Sequence, residues 1–238
     1  MPVPVGLDAT LHDISDVNGW LSDAQARRLW TTASALTPPA TIVEIGSFQG
    51  RSTIVVARAA ADGVTIVAID PHAGNDRGPQ ELDGYEADAA NDNAVFNENL
   101  RAAGVGDRVR HVRAFSNAAH AEVEGDIDLL YIDGAHRYRP ALDDIRQWGA
   151  RVAPGGTMLI HDSFSSIGVT LAIARELFAG TGFTYVGRSG SMTEYRRAAP
   201  ASTARNAATQ AAQLPWFAKN VVLKALIAAK VLDRPWPY

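Results

Sequence analysis

Short apolar runs recur along the chain, each followed by a stretch of helical periodicity. They are TIVEIG (41–46), VTIVAID (64–70), RVRHVRAF (108–115), IDLLYID (127–133) and TMLIHD (157–162). RVRHVRAF alternates polar and apolar positions, as a strand does. IDLLYID and TMLIHD are nearly continuous, as in strands buried on both faces of a parallel sheet. Between the runs, helices are predicted over 52–61, 94–103, 140–152 and 167–179. Pro140 suits a first helical turn, Asp143 and Asp144 favour that same end through the helix dipole, and APGG (153–156) breaks the helix. FTYVGRSGSMTEYRR (183–197) reads as two strands joined by a glycine-containing turn, a hairpin. The alternation predicts an α/β, doubly wound, Rossmann-like fold. Its seven-stranded sheet is mostly parallel and closes with a C-terminal antiparallel hairpin strand.

The flanks divide the chain further. Residues 1–38 form a leading helical or lid segment, with Ser22 as helix cap and TPP as stop near Thr37. Residues 39–198 form the ligand-binding domain. Residues 199–238 form a tail: 199–214 is irregular or weakly helical, and 215–238 carries an amphipathic helix for core packing or a homodimer contact. A polar, acidic insertion at 73–93 follows the second strand and is expected as a solvated loop or a lid that orders on substrate.

Composition narrows the function. The 238 residues carry a net charge of −4, which argues against a nucleic-acid surface. No cysteine is present, so thiolate zinc sites, disulfides and cysteine nucleophiles are excluded. No apolar run reaches the roughly 20 residues of a membrane span, and no signal-peptide pattern opens the chain. A cytoplasmic protein is expected.

Ligands of doubly wound sheets bind beyond the carboxyl ends of the strands. Gly46, Asp70, Asp133 and Asp162 all fall there. VEIGSFQGRST (43–53) is a strand, a glycine turn and a helix start, in which Gly46 and Gly50 admit close backbone approach to a ligand. The dinucleotide fingerprint needs glycine where Phe48 and Arg51 stand, so a pyrophosphate is disfavoured. A ribose and adenine cofactor without phosphate fits better, and S-adenosylmethionine (SAM) is such a molecule. Asp70 is placed for its ribose hydroxyls, and Glu44 for its ammonium group, directly or through water.

A second constellation lies downstream. Neighbouring strands sit about 4.8 Å apart, so Asp133 and Asp162 at their ends can reach one cation, Mg²⁺ or Mn²⁺. His136 follows Asp133 across a Gly-Ala turn. Methyl transfer to an alcohol needs a base, which an imidazole of pKa near 6.5 supplies. His72 is placed to touch ligand; His111 alternates within a strand, and His12 and His120 have no partner in the sequence.

VEIGSFQGRST, IDPH, YIDGAHRY, PGG and IHD, in this order, resemble the class I SAM-dependent methyltransferases. More narrowly they are similar to the metal-dependent sugar O-methyltransferase branch that includes the macrocin and mycinamicin O-methyltransferases, over roughly residues 20–195. The resemblance implies that Glu44, Gly46, Ser52, Asp70 and Asp133 contact SAM and that Ser116 lies near the adenine. It implies that Asp133 and Asp162 hold the metal and that His136 is the general base. Where the family often has a further carboxylate, this chain has His161, which either shifts the preference toward Mn²⁺ or stands behind the ligands. The acceptor implied is a sugar or oligosaccharide diol, with Trp20 stacking on a pyranose face; a catechol-type diol is the alternative. A metal-dependent hydroxylase of the same fold and a non-enzymatic SAM-binding module are the other readings.

Overall fold

The computed structural model describes residues 6–72 and 85–232. Two helices lead, α1 (Leu7–Asp13) and α2 (Asp23–Ser34). Ser22 caps α2 as expected: Gln25 Oε1 accepts from its backbone N–H at 2.8 Å and its hydroxyl at 2.9 Å. Then come β1 (Thr41–Ile45), α3 (Arg51–Ala59), β2 (Thr65–Ile69), α4 (Tyr85–Ala102), β3 (Val109–Val112), β4 (Ile127–Ile132), α5 (Tyr138–Gln147) and β5 (Val152–Ile160). α6 (Ile167–Glu176), β6 (Thr184–Ser189), β7 (Met192–Arg196), α7 (Thr203–Ala211) and α8 (Leu214–Ala228) follow. The seven strands form one sheet in the order β3-β2-β1-β4-β5-β7-β6. All pairs are parallel except β5–β7 and β7–β6, which are antiparallel. This is the predicted doubly wound sheet with its closing hairpin. Its order reverses between β1 and β4, where a crevice must open.

Strand alternation feeds two cores. Val43, Ile45, Leu130 and Ile132 face α5 and α6, with fully buried Trp148 and Phe164. Ile42, Leu129 and Tyr131 face α2, α3 and α4, with Leu29, Ile54 and Phe96. Each such side chain removed from water contributes about 1.5–3 kcal/mol.

Several expected boundaries differ. The helix expected over 140–152 ends at Gln147, before APGG is reached. Val152 already begins β5, and APGG lies inside that strand because it pairs with the hairpin: Gly155 N–H donates to Arg197 O and Arg197 N–H to Gly156 O, both at 2.8 Å. β3 is four residues long, shorter than the run at 108–115, and stands at the sheet edge with β2 as its one partner strand. Of the insertion at 73–93, residues 73–84 lie outside the described residues, and the remainder is the first half of α4 rather than loop. The tail at 199–214 is helical as α7, for a reason the apolar pattern does not carry. Its buried face consists of amides: Asn206 accepts from Tyr185 N–H at 2.9 Å and donates to Phe183 O, and Gln210 donates to Leu177 O. Among the described residues no helix is long and apolar enough to cross a membrane.

Candidate active site

The carboxyl ends of β1, β2, β4 and β5 open onto one cleft of about 1570 Å³. Ligand sites usually run to roughly 300–1,000 Å³, so this one has room for two molecules side by side. Gly46, Ser52, Asp70, Ser116, Asp133, His136 and Asp162 all line it, as does Trp20. Glu44 does not. The alternation of β1 turns it to the α3 face, where it is 1 % exposed and takes both the Ser52 and Thr53 hydroxyls. Burial pushes its carboxyl up to about 7, although the two hydroxyls pull the other way. Glu44 therefore reaches the cleft only through Ser52.

At the β1–β2 end, Asp70 organises the turn. Its Oδ2 accepts from the Ser47 and Phe48 N–H groups, each at 2.9 Å, and its Oδ1 from His72 N–H at 2.8 Å. His72 Nε2 lies 2.7 Å from Phe48 O, a distance that places its ring proton on that nitrogen. The amides that a phosphate would need are thus engaged by Asp70. Phe48 instead meets Trp20, ring centroids 5.4 Å apart. The turn fits a cofactor that brings ribose and base without phosphate. Gly46 lines the cleft, and at both Gly46 and Gly50 the missing side chain also makes room within the protein. At Gly46 (φ +86°) a Cβ would stand 2.2 Å from Asp133 O, and at Gly50 it would stand 2.7 Å from Leu100 Cδ1. Both glycines admit the protein's own chain.

At the β4–β5 end, the register is finer than strand adjacency suggested. Ile132 pairs with Ile160, so the residue level with Asp133 is His161, not Asp162. Asp162 comes to the cleft because the chain turns left-handed there (φ +53°) and again at Phe164 (φ +55°). Such backbone costs about 1–3 kcal/mol per residue and persists where its surroundings over-determine it. Here Ser163 N–H donates to Ser191 O at 2.8 Å, and Asn220 Nδ2 and Lys224 Nζ of α8 donate to Phe164 O and Ser165 O, each at 3.2 Å.

This turn assembles three donors. Ligand atoms of Asp133, His136 and Asp162 all lie within 4.8 Å of one another, a spacing and chemistry that fit a divalent cation. His136 Nε2 is 2.9 Å from Asp162 Oδ2, and the Tyr131 hydroxyl donates to Asp133 Oδ2 at 2.9 Å. His161 lies behind them, its side chain 1 % exposed and its Nδ1 3.1 Å from Asp133 Oδ1 and 3.4 Å from Asp162 Oδ2. Burial works to lower the His161 pKa, but the two carboxylates outweigh it and hold it well above the ordinary value. Burial likewise works to raise Asp162, and His161 and His136 outweigh it, keeping that carboxyl well below its usual range.

Ser116 brings in a residue that the sequence reading misplaced. Its hydroxyl donates to Asp144 Oδ1 at 2.6 Å. Because α5 starts at Tyr138, Asp144 is in mid-helix and 5 % exposed, not a dipole-stabilising acid of the first turn. Burial pushes its carboxyl up to about 6, against the Ser116 bond that lowers it. Its signal was present: Ala141, Asp144, Ile145 and Trp148 form one buried stripe at helical spacing, interrupted by a single acid. His111 packs against His72 at 4.8 Å, and His120 stacks on Trp148 at 4.3 Å, so both have ring partners that sequence alone did not show.

A family model described as a methyltransferase domain matches residues 43–163. Among solved structures, cofactor-bound Rv0187 from MTB is 21% identical, with 82% of this chain and 90% of that one covered and a TM-score of 0.57. The O-methyltransferase NovP is 18% identical over 74% and 81% of the two chains, TM-score 0.59. The O-methyltransferase TomG from Streptomyces achromogenes, involved in tomaymycin synthesis and solved with SAM, is 17% identical over 81% and 89%, TM-score 0.52. At these identities the likeness is one of fold.

Proposed function

Since the chain belongs to the methyltransferase-domain family, we propose that it is a SAM-dependent O-methyltransferase acting on a vicinal-diol acceptor, a sugar or oligosaccharide. The observation that carries this reading is the continuity of one cleft from the Asp70 turn to the Asp133–His136–Asp162 group. NovP and TomG, which share the fold, are described as O-methyltransferases. When bound, SAM supplies an electrophilic methyl on a sulfonium, and Mg²⁺ or Mn²⁺ lowers the pKa of a nearby hydroxyl.

The chain's own residues do the rest. Asp70 receives the ribose hydroxyls while holding the turn, Ser116 and Asp144 flank the adenine, and Ser52 meets the methionine end with Glu44 behind it. Asp133 and Asp162 hold the cation. His136 Nε2–H donates to Asp162, so the nitrogen that takes the acceptor proton is Nδ1, and the imidazolium so formed keeps its Asp162 bond. Alignment of oxygen, methyl and sulfur is the remaining task, and the cleft walls perform it.

The grouping of His136 with the two aspartates also favours a second assignment, in which His136 is the third cation donor. One variant separates the two. In His136→Ala, the base reading expects SAM and Mn²⁺ affinities near wild type, by calorimetry, with methyl transfer to a diol panel down at least about 100-fold. Loss of Mn²⁺ binding along with activity assigns His136 as a ligand. Unchanged transfer, or the absence of SAM binding by the parent protein, overturns the proposal.

A further inference from the structure

α8 departs from the pattern of a surface helix, which turns its apolar stripe to the core and its charges to water. Among its described side chains the one buried is Asn220, whose Nδ2 donates to Phe164 O at 3.2 Å. On the opposite side Leu214, Ala218, Val222 and Ala225 recur at helical spacing and all are exposed, Val222 by 57 %. Ile167 and Leu171, one turn apart on α6, are exposed by 58 % and 52 %. Ile167 lines the cleft together with Val221, Lys224 and Ala225 of α8, so the two apolar faces adjoin at one lip. The charges nearby are of one sign. Every lysine of the chain, Lys219, Lys224 and Lys230, lies on α8 or just beyond it. Lys219 and Lys230 are exposed and, about three turns apart, share one edge of the apolar face. Lys224 faces the cleft and donates to Ser165 O, so no further part is asked of it. Residues 195–238 contain Asp233 as their only acid, in a chain whose net charge is −4.

We propose that the outer face of α8, with Ile167 and Leu171 beside it, docks on an anionic lipid bilayer and lies in the plane of its surface. The inference stands apart from the methyltransferase reading. α8 is too short to span: its 15 residues, at 1.5 Å each, reach about 22 Å against a hydrocarbon layer of roughly 30 Å. A helix that lies in the interface needs apolar side chains on one side and basic ones flanking them. Here Leu214, Val222, Ile167 and Leu171 meet the lipid chains, and Lys219 and Lys230 reach the headgroups. A second copy of this chain suits the face less well. A two-fold contact between α8 helices brings lysine-edged faces together, and α8 carries no acid to pair with them. The acid of α6 is Glu176, which Arg146 already holds at 2.5 Å. Of the acids lining the adjoining cleft, Asp70, Asp92, Asp133, Asp143, Asp144 and Asp162, Asp143 alone is exposed, so anionic lipid meets little repulsion at this lip. Docking of this kind opens the cleft, where Ile167 and Ala225 border it, toward the bilayer surface.

The test is flotation of the full chain with vesicles of phosphatidylcholine alone and of equimolar phosphatidylcholine and phosphatidylglycerol, at low and high sodium chloride. One lysine at an anionic surface strengthens partitioning about fivefold, so Lys219 and Lys230 together predict binding to the mixed vesicles about tenfold tighter or more, weakening with salt. Val222→Glu should abolish flotation while the thermal unfolding midpoint stays in place, because Val222 is exposed. The double variant Lys219→Gln/Lys230→Gln should lower binding of the mixed vesicles to the phosphatidylcholine level. Equal binding of the parent chain to both vesicles, no flotation with either, or flotation that survives Val222→Glu overturns the proposal. Should Val222→Glu unfold, the lysine pair decides: a preference for the mixed vesicles that survives its replacement overturns the proposal as well. A dimer in vesicle-free sedimentation that Val222→Glu separates into monomers assigns the face to a second copy, and that too overturns it.

Discussion

Gly168 gives the most direct control over His136. It lies in the first turn of α6, and a Cβ built there stands 2.2 Å from His136 O, 2.7 Å from Tyr138 N and 2.9 Å from Arg137 C. Ordinary contact begins at 3.4 Å, so a methyl group demands about 3.4 − 2.2 = 1.2 Å of retreat. α6 cannot supply it, because Val169, Thr170, Ala172 and Ile173 are buried against the sheet. The loop at 135–137 is only partly buried and moves instead. Gly168→Ala should therefore shift His136 by about 1 Å while leaving Asp133, Asp162 and the Asp70 turn in place. A displacement of that size costs roughly 100-fold in rate. Overpacking costs about 1–3 kcal/mol, and the better helix propensity of alanine returns up to about 1 kcal/mol, so the net loss of stability is about 0–3 kcal/mol. The assay is methyl transfer from labelled SAM, run beside SAM calorimetry and thermal unfolding. Full activity in a stably folded variant would refute the claim that the seating of His136 matters to the reaction. A parallel loss of SAM affinity would show that the strain had spread to the cofactor end.

Two further outcomes are expected. Tyr131→Phe removes the hydroxyl that donates to Asp133 Oδ2 at 2.9 Å; Mn²⁺ affinity should fall about 10-fold or more with SAM affinity unchanged, and an unaltered Mn²⁺ titration would remove Tyr131 as an orienting group. Asp144 is the pH-dependent case: burial raises its carboxyl from the ordinary 3.8 to about 6, so between those values the folded chain binds a proton that the unfolded chain has released. Stability then declines as pH rises through that window and levels off above it. The decline is at most about 3 kcal/mol, from 1.36 kcal/mol per pKa unit over about two units. Asp144→Asn should flatten that part of the stability–pH curve in chemical denaturation, and an unchanged slope would mean that Asp144 is not the group responsible.

The parallel sheet, its hairpin and the positions of Gly46, Asp70, Asp133 and Asp162 were legible because buried strands leave continuous apolar runs that end where ligands bind. What escaped was tertiary in origin. Glu44 sits at a strand end, but only the pairing of faces shows that α3 hydroxyls enclose it. The level of His161 with Asp133 depends on a register across two strands far apart in sequence. α7 was obscured because Asn206 and Gln210 do there what apolar residues usually do. The role of α8 as a wall of the cleft needed a helix whose partner lies 56 residues earlier, from Asn220 to Phe164.

The left-handed turn at Asp162 has a consequence for how the molecule is made. A ribosome delivers β1 through β5 first, and the local pairing of those strands can proceed as they emerge. Asp133 and His136 are then already in hand, but the strained turn that brings Asp162 to them is tied down by Ser191, Asn220 and Lys224, which emerge after β5. The nascent chain thus carries the parallel strands before Asp133, His136 and Asp162 are brought together, and their grouping awaits α8.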